Sequence, residues 1–211
     1  MRYLYTLILL ITISSSALSQ SDYGKYIGTV KTEWMRGSES EHRMVLLEDF
    51  VYVDPKGKKW IARAGSKTDG ATIPKAVWSF VGGPYAGQYR EAAVIHDVYC
   101  ESKTEPYRDV HRIFYYASRA AGVSERKAKI LYGGVVIGGP KWGSRESKCY
   151  SCHETGSTKM ENDTRGQLTA FPPITEEDVK KLAEFINESN PSLEQIDTYI
   201  KKSHPASKFG H

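Results

Sequence analysis

The chain has 211 residues, and its 29 lysines and arginines against 25 aspartates and glutamates give a formal net charge of +4. That length is enough for one domain with a real core and a short tail. The mild charge excludes the concentrated basic face that nucleic-acid binders usually carry, so we predict no nucleic-acid partner.

The N-terminus has the pattern of a cleavable export signal. Arg2 supplies a positive start, residues 4–13 are apolar apart from two threonines, and Ala17 and Ser19 are small residues of the kind that signal peptidase prefers. The apolar run is shorter than the about 20 residues that a membrane-spanning helix needs. We therefore expect cleavage before Gln20, a secreted or periplasmic protein, and no transmembrane segment in the mature chain.

The segment after this signal has the β-forming residues and turn residues of a small antiparallel sheet. Strands are predicted over 26–35, 43–53 and 59–64. The sequence Asp54-Pro55-Lys56-Gly57 is typical of a tight turn, which predicts that the second and third strands pair through it.

From residue 74 onward the apolar residues recur at helical spacing. This spacing predicts a short helix over 74–81 and then three helices over 88–101, 106–121 and 124–138. Gly122 is expected to cap the second of these three helices at its C-terminus.

The C-terminal third changes from polar to amphipathic. Residues 144–172 contain few aliphatic residues and read as a linker, whereas Thr175 precedes an acidic turn and a helical apolar pattern. We therefore predict an α+β fold in which a small antiparallel sheet is followed by a three-helix unit and a loosely attached helical tail. The predicted organisation is a signal over 1–19, an α+β domain over 20–143, a linker over 144–172 and the tail over 173–211.

His96 and Asp97 stand side by side in an otherwise apolar predicted helix, where ionisable groups are costly to bury unless they are paired. The connection to the next helix is centred midway between residues 102 and 105, and His111 lies as far after that point as His96 lies before it. Because antiparallel helices have the same rise per residue, the two imidazoles are expected at the same height.

Asp69 completes the predicted site, because it lies on a loop that is expected to pack over the helical hairpin. One interpretation is a divalent metal held by His96, Asp97 and His111. Another is acid–base catalysis by His96, supported by Asp97, His111 and Asp69. The third is a hydrogen-bonded core network that binds no ligand.

Three motifs in order give the chain a family resemblance. They are TDGATIP (68–74), AAVIHDVY (92–99), and R-x-x-x-x-IF (108–114) with AAGV (120–123); Trp78 lies between the first two. Over about residues 44–143 the chain resembles the domain of unknown function 1353, which occurs in bacteria and phages. The resemblance implies a small fold of a sheet plus helices and no established activity. The chain departs from the family pattern at His111, where an acid is expected, and at Cys100, where an aromatic residue is expected.

The His-Asp pair on a helix that faces a second helix is also similar to the site of secreted phospholipases A2. That similarity implies that His96 activates water, that Asp97 binds calcium and that the substrate is a lipid of the envelope. The match is short and lacks the flanking cysteines of those enzymes.

A second chemical motif lies in the linker. Cys149, Cys152 and His153 have the CxxCH spacing at which two thiols attach haem c and the histidine ligates its iron in exported proteins. The same residues also fit a Cys149–Cys152 disulfide, a redox pair or half of a zinc site.

Three function classes follow from these patterns. The first is a hydrolase that uses the His/Asp site on the hairpin, with or without a metal. The second is a c-type haem protein. The third is a non-catalytic envelope or binding protein, in which the polar groups of the hairpin only specify packing.

Overall fold

The computed structural model describes residues 20–35, 43–69, 75–82, 87–142 and 174–204. Within these ranges the fold is α+β, as the sequence predicts, and it opens with a 3-10 turn over Gln20–Tyr23. The strands are β1 (Lys25–Ile27), β2 (Thr32–Trp34), β3 (Met44–Leu46), β4 (Phe50–Val53), β5 (Lys59–Ala62) and β6 (Lys67–Thr68). The helices are α1 (Lys75–Val81), α2 (Arg90–Ser102), α3 (Tyr107–Ala120), α4 (Glu125–Gly138), α5 (Glu176–Ser189) and α6 (Leu193–Ser203).

The strands form two small antiparallel sheets where one was expected. Their orders are β1-β4-β5 and β2-β3-β6. The predicted strand over 26–35 is divided at Gly28, which has a φ of +84° that interrupts extended backbone. The predicted strand over 43–53 is divided near Asp49, whose carboxylate accepts a hydrogen bond from the Ala64 backbone N–H. The first two predicted strands therefore each contribute to both sheets, whereas the third, over 59–64, contains only β5 of the first sheet.

The turn between β4 and β5 forms as the sequence predicts. Asp54 Oδ1 accepts hydrogen bonds from the backbone N–H groups of Lys56 and Lys58, at 2.8 and 2.9 Å. Gly57 has a φ of +83°, a conformation that glycine adopts without steric cost. An aspartate that binds the backbone ahead of it in this way stabilises a turn, which sets the β4–β5 register.

Helices α2 and α3 form the predicted antiparallel hairpin. Lys103 ends α2 in the left-handed region, with a φ of 51°, and its N–H donates to the carbonyl oxygen of Tyr99. Pro106 directly precedes α3, and Gly122 follows it with a φ of +88°. Both ends of α1, α2, α3 and α4 fall within two residues of the predicted bounds.

Side chains of the hairpin anchor it to the first sheet. The Tyr99 hydroxyl accepts a hydrogen bond from the Ile61 N–H at 3.0 Å, and its ring meets the Trp60 ring edge-on. The Tyr26 hydroxyl donates to the Ala117 carbonyl oxygen at 2.7 Å. These bonds fix both helices against β1 and β5.

The C-terminal helices pack into the same core, so the prediction of a loosely attached tail was wrong. Helix α4 carries Gly133 where a Cβ would lie 2.5 Å from Leu182 Cδ2 of α5, and Gly134 where a Cβ would lie 2.8 Å from Val77 Cγ2 of α1. The two glycines therefore let α4 approach both neighbours closely. The tail contributes seven buried aliphatic side chains to this core, Val179, Leu182, Ala183, Ile186, Leu193, Ile196 and Ile200.

Polar contacts hold the tail as well. Arg112 of α3 donates to Glu194 at 2.6 Å and to Asp197 at 2.9 Å, and the Tyr132 hydroxyl donates to Asp197 at 2.5 Å. Each tail helix also begins with a capping box, formed at Thr175 in α5 and at Ser192 in α6. Among the helices of the described ranges, none is long and apolar enough to cross a membrane.

Candidate functional site

The two histidines of the hairpin meet in the core. His96 Nε2 lies 2.9 Å from His111 Nδ1, which is a hydrogen bond in which one ring donates and the other accepts. The exposed fraction is 3% for His96 and 0% for His111. The structure therefore brings together the two residues that the sequence places at equal distances from the α2–α3 connection.

Burial sets the charge of this pair. It lowers the pKa of His96 to about 3 and is the main cause of a pKa of His111 well below its usual range. His96 and Lys141 lower the pKa of His111 further, and burial also lowers the pKa of Lys141 to about 8. Both imidazoles are consequently neutral at pH 7, so each has one nitrogen lone pair.

Cys100 is the third member of this cluster, and the sequence analysis did not single it out as a site residue. It lies one turn after His96 on α2, with its Sγ 3.5 Å from His96 Nε2 and 3.7 Å from His96 Nδ1. Donor atoms of His96, Cys100 and His111 all lie within 4.8 Å of one another, and all three residues are buried. This is the one group among the described residues whose His, Cys, Asp and Glu side chains could hold a metal ion.

A signal for Cys100 is present in the sequence. His96, Asp97 and Cys100 stand at positions i, i+1 and i+4 of one helix. Metalloproteases use the same spacing in H-E-x-x-H, where two ligands share a helix face and the acid between them is a base.

Asp97 points away from this cluster, because neighbouring residues on a helix are rotated by about 100°. Its Oδ2 accepts a hydrogen bond from the Thr68 hydroxyl at 2.6 Å, and its Oδ1 lies 4.0 Å from His96 Nδ1. That second distance is longer than a hydrogen bond. Asp97 therefore lies beside the donor cluster without belonging to it, which differs from the hypothesis of a metal held by His96, Asp97 and His111.

Asp69 lies half-buried next to Thr68, at the end of β6. Burial raises the pKa of the Cys100 thiol, and the charges of Asp97 and Asp69 raise it further. Both carboxylates are thus close enough to raise the pKa of the thiol through their charge. Thr68 opens the TDGATIP motif, but its role as donor to Asp97 was not predicted, because that role depends on the pairing of β6 with β3.

Aromatic rings surround the cluster. The Phe114 ring lies 4.9 Å from the His96 ring between centroids, and the Tyr107 and Trp142 rings lie 5.7 and 6.4 Å from His111. Gly139 supplies the space behind His111, since a Cβ there would lie 3.1 Å from His111 Cε1. These groups give the site a low dielectric environment, in which interactions between charges are strong.

The proposed haem ligands Cys149, Cys152 and His153 lie outside the described residues, as do the export signal and the whole predicted linker. The haem, disulfide and zinc interpretations of CxxCH stay predictions.

Comparison with known proteins confirms the family resemblance. Residues 44–135 match the family model described as a protein of unknown function, DUF1353. This segment contains both helices of the hairpin and all of the residues of the candidate site, from Thr68 to His111. No solved structure matches the chain.

Two relatives from Sinorhizobium fredii (strain NBRC 101917 / NGR234) are similar to this chain. The uncharacterized protein y4jT is 42% identical over 126 residues, which are 60% of this chain and 34% of the relative. The uncharacterized protein y4iH is 42% identical over 105 residues, which are 50% of this chain and 44% of the relative. The match thus spans less than half the length of each relative.

Proposed function

We propose that the chain is a metal-dependent hydrolase that acts outside the cytoplasm. In this proposal His96 and His111 hold the metal, and Asp97 accepts the proton of the attacking water. The observation that carries the proposal is the buried contact of two neutral imidazoles at 2.9 Å with a carboxylate beside it. Neutral imidazole is the form of histidine that binds metals.

The chemistry follows from the charges of these groups. A bound divalent ion lowers the pKa of a coordinated water to about 7, which supplies a nucleophile at neutral pH. Asp97 lies within 4.0 Å of His96, and its bond to Thr68 fixes the carboxylate in place. In the proposal this fixed carboxylate, at the edge of the donor cluster, takes the proton of the water as a general base.

The proposed substrates are components of the cell envelope. The export pattern of residues 1–19 and the likeness of His96-Asp97 to the site of secreted phospholipases support this choice. The proposal covers only this chain, because the relatives extend well beyond the matched region.

The test is turnover of phospholipids and of cell-wall fragments by the purified protein, with and without added Zn²⁺ or Ca²⁺. Asp97→Asn is expected to lower turnover at least about 100-fold, which is the usual contribution of a general base. Asp109→Asn is the matched control, because Asp109 is an exposed acid on α3. A metal-loaded protein that is inactive on the whole panel would contradict the proposal and favour a non-catalytic role.

A further inference from the structure

Cys100 belongs, with His96 and His111, to a buried group of side chains that can bind a metal, and the family match assigns no role to this group. We propose that His96, Cys100 and His111 form a three-ligand site for a zinc-class divalent ion, and that Asp97 is not one of its ligands. The inference deepens the proposed function by naming the cofactor class. It rests on that function only for what the metal does, since binding of the ion can be measured without any substrate.

Two of the three distances between the ligand atoms are close to those of a tetrahedral ion, and the third, from Cys100 to His111, is within 4.8 Å. With bonds of about 2.0–2.1 Å to nitrogen and about 2.3 Å to sulfur, tetrahedral ligands lie about 3.3 Å apart for N···N and about 3.6 Å for N···S. The S···N distance from Cys100 to His96 Nε2 is 3.5 Å, and the N···N distance between the histidines is 2.9 Å. Binding therefore requires the two imidazoles to separate by about 0.4 Å, which replaces their hydrogen bond by bonds to the metal.

The cluster is also short of hydrogen-bond partners. His111 Nε2 is buried and makes no hydrogen bond of normal geometry within the described part of the chain, although the Pro140 backbone lies close enough to raise the pKa of His111. The neighbours of His96 Nδ1 are Cys100 Sγ at 3.7 Å, a weak contact to sulfur, and Asp97 Oδ1 at 4.0 Å, which is longer than a normal hydrogen bond. Buried polar groups are normally satisfied by protein, water or an ion. In the proposed site the ion binds His96 Nε2 and His111 Nδ1, so the outer nitrogens, His96 Nδ1 and His111 Nε2, carry the ring protons. That is the tautomer that metal binding through the inner nitrogens requires.

The charges around the cluster favour a cation. The Cys100 thiol loses its proton when it binds a metal, and the carboxylates of Asp97 and Asp69 act on the same sulfur. Lys141 opposes them, because its charge acts on His111. Two carboxylates and one thiolate outweigh one ammonium group, so a divalent ion is balanced by its surroundings.

The kinds of ligand atom in the site, one sulfur and two imidazole nitrogens, determine which metal ion it prefers. Thiolate and imidazole prefer zinc and its late first-row neighbours, whereas calcium and magnesium take oxygen ligands. A site with these ligands prefers zinc, so it differs from the calcium site that the similarity to secreted phospholipases A2 implies.

The decisive experiment uses cobalt as a spectroscopic substitute for zinc. The full chain carries three cysteines, of which two belong to the CxxCH motif and could bind metal themselves. Replacing both, as Cys149→Ser and Cys152→Ser, leaves Cys100 as the sole thiol and changes nothing in the described core. After chelator treatment, Co²⁺ is expected to bind at one ion per chain and to give a thiolate-to-cobalt charge-transfer band. One equivalent of Zn²⁺ should abolish that band.

Two single substitutions in this background test the ligand set. Cys100→Ser is expected to lose the band and to weaken zinc binding more than about 100-fold, beyond the 10–100-fold effect of residues outside the ligand set. Asp97→Asn is expected to keep the band and the stoichiometry. Far-ultraviolet circular dichroism of the metal-free proteins checks the fold, and the band of the background protein assigns the sulfur even if Cys100→Ser does not fold.

Opposite results overturn the inference. They are the absence of a cobalt band in the background protein, a site that takes Ca²⁺ in preference to Zn²⁺, or loss of the metal in Asp97→Asn with retention in Cys100→Ser. Normal zinc binding without turnover contradicts the proposed hydrolase alone. Turnover without metal, by a protein that gives no cobalt band, contradicts both the metal site and the metal dependence of the proposed hydrolase. It leaves hydrolysis by His96 and Asp97 alone.

Discussion

Thr68 donates its hydroxyl hydrogen to the Asp97 carboxylate over 2.6 Å, and this bond joins the last strand of the second sheet to the middle of α2. The exposed fractions of the two residues are 2% and 6%. A buried carboxylate that loses a donor keeps its full desolvation cost. The contact therefore stabilises the fold at the residue that we propose as the general base.

Replacing Thr68 by valine keeps the shape of the side chain and removes this donor. We expect Thr68→Val to lower the free energy of unfolding by about 1–3 kcal/mol, measured by urea denaturation at pH 7. Thr198→Val is the control, because Thr198 is exposed on α6 and should change stability by less than about 0.5 kcal/mol. Equal effects of the two substitutions would show that the bond to Asp97 contributes nothing.

The neutral histidine pair predicts acid sensitivity of the metal-free protein. Burial lowers the pKa of both residues in the folded state, to about 3 for His96, so the unfolded chain takes up protons first as the pH falls. The free energy of unfolding has its full value above the ordinary histidine pKa of about 6.5. It decreases as the pH falls toward 3, by up to about 1.4 kcal/mol per pH unit for each ring.

His111→Phe tests this assignment, because it removes one titrating ring and keeps an aromatic side chain of similar shape. Urea denaturation between pH 7 and pH 4 should give a pH slope that is smaller by up to about 1.4 kcal/mol per pH unit than in the unmodified chain. His204→Gln removes a partly exposed ion pair with Asp178 at 3.1 Å, so it should change the slope less than His111→Phe does. An unaltered slope in His111→Phe would mean that the ring already takes up a proton in the folded protein.

Close approach of α4 and α5 depends on Gly133. A Cβ at this position would lie 2.5 Å from Leu182 Cδ2, so Gly133→Ala is expected to destabilise the protein by about 1–3 kcal/mol. The double variant Gly133→Ala with Leu182→Val should recover part of that loss, because it shortens the side chain that clashes. Thermal unfolding of the single and double variants measures the effect, and a stabilised Gly133→Ala would show that the helices do not approach this closely.

The capping boxes of the tail predict two independent losses. Thr175→Ala and Ser192→Ala each remove a side-chain acceptor from a helix N-terminus and should cost about 1 kcal/mol. Because the boxes open different helices, the double variant should show the sum within about 0.5 kcal/mol. Losses near zero by urea denaturation would mean that the tail helices separate from α4 before the core unfolds.

The parts of the fold that depend on local sequence were predictable. Apolar spacing, Pro106 and Gly122 are sufficient to place the hairpin helices, and the length of their connection sets His96 opposite His111. The sheet was less predictable, since the division of a strand at Gly28 depends on which distant strand pairs on each side.

The site also contains residues that local sequence predicts and residues that depend on distant pairing. His96 and His111 followed from helix geometry, whereas Thr68 reaches Asp97 only because β6 pairs with β3. Cys100 had a local signal in its spacing from His96, but a buried cysteine also behaves as an ordinary small apolar residue. Only the position of His111 on the facing helix distinguishes these two roles.

Helix α4 is buried at ten consecutive positions, from Ala128 to Ile137, between partners from α1, α3, α5 and α6. A helix enclosed on all sides cannot expose its amides to water through local fraying, because every neighbour must first move away. Its backbone hydrogens are therefore expected to exchange with solvent deuterium last in the molecule, at the rate of global unfolding. The segment that opens last in the folded protein is thus a helix that contains none of the proposed catalytic or metal-binding residues and connects the hairpin to the tail.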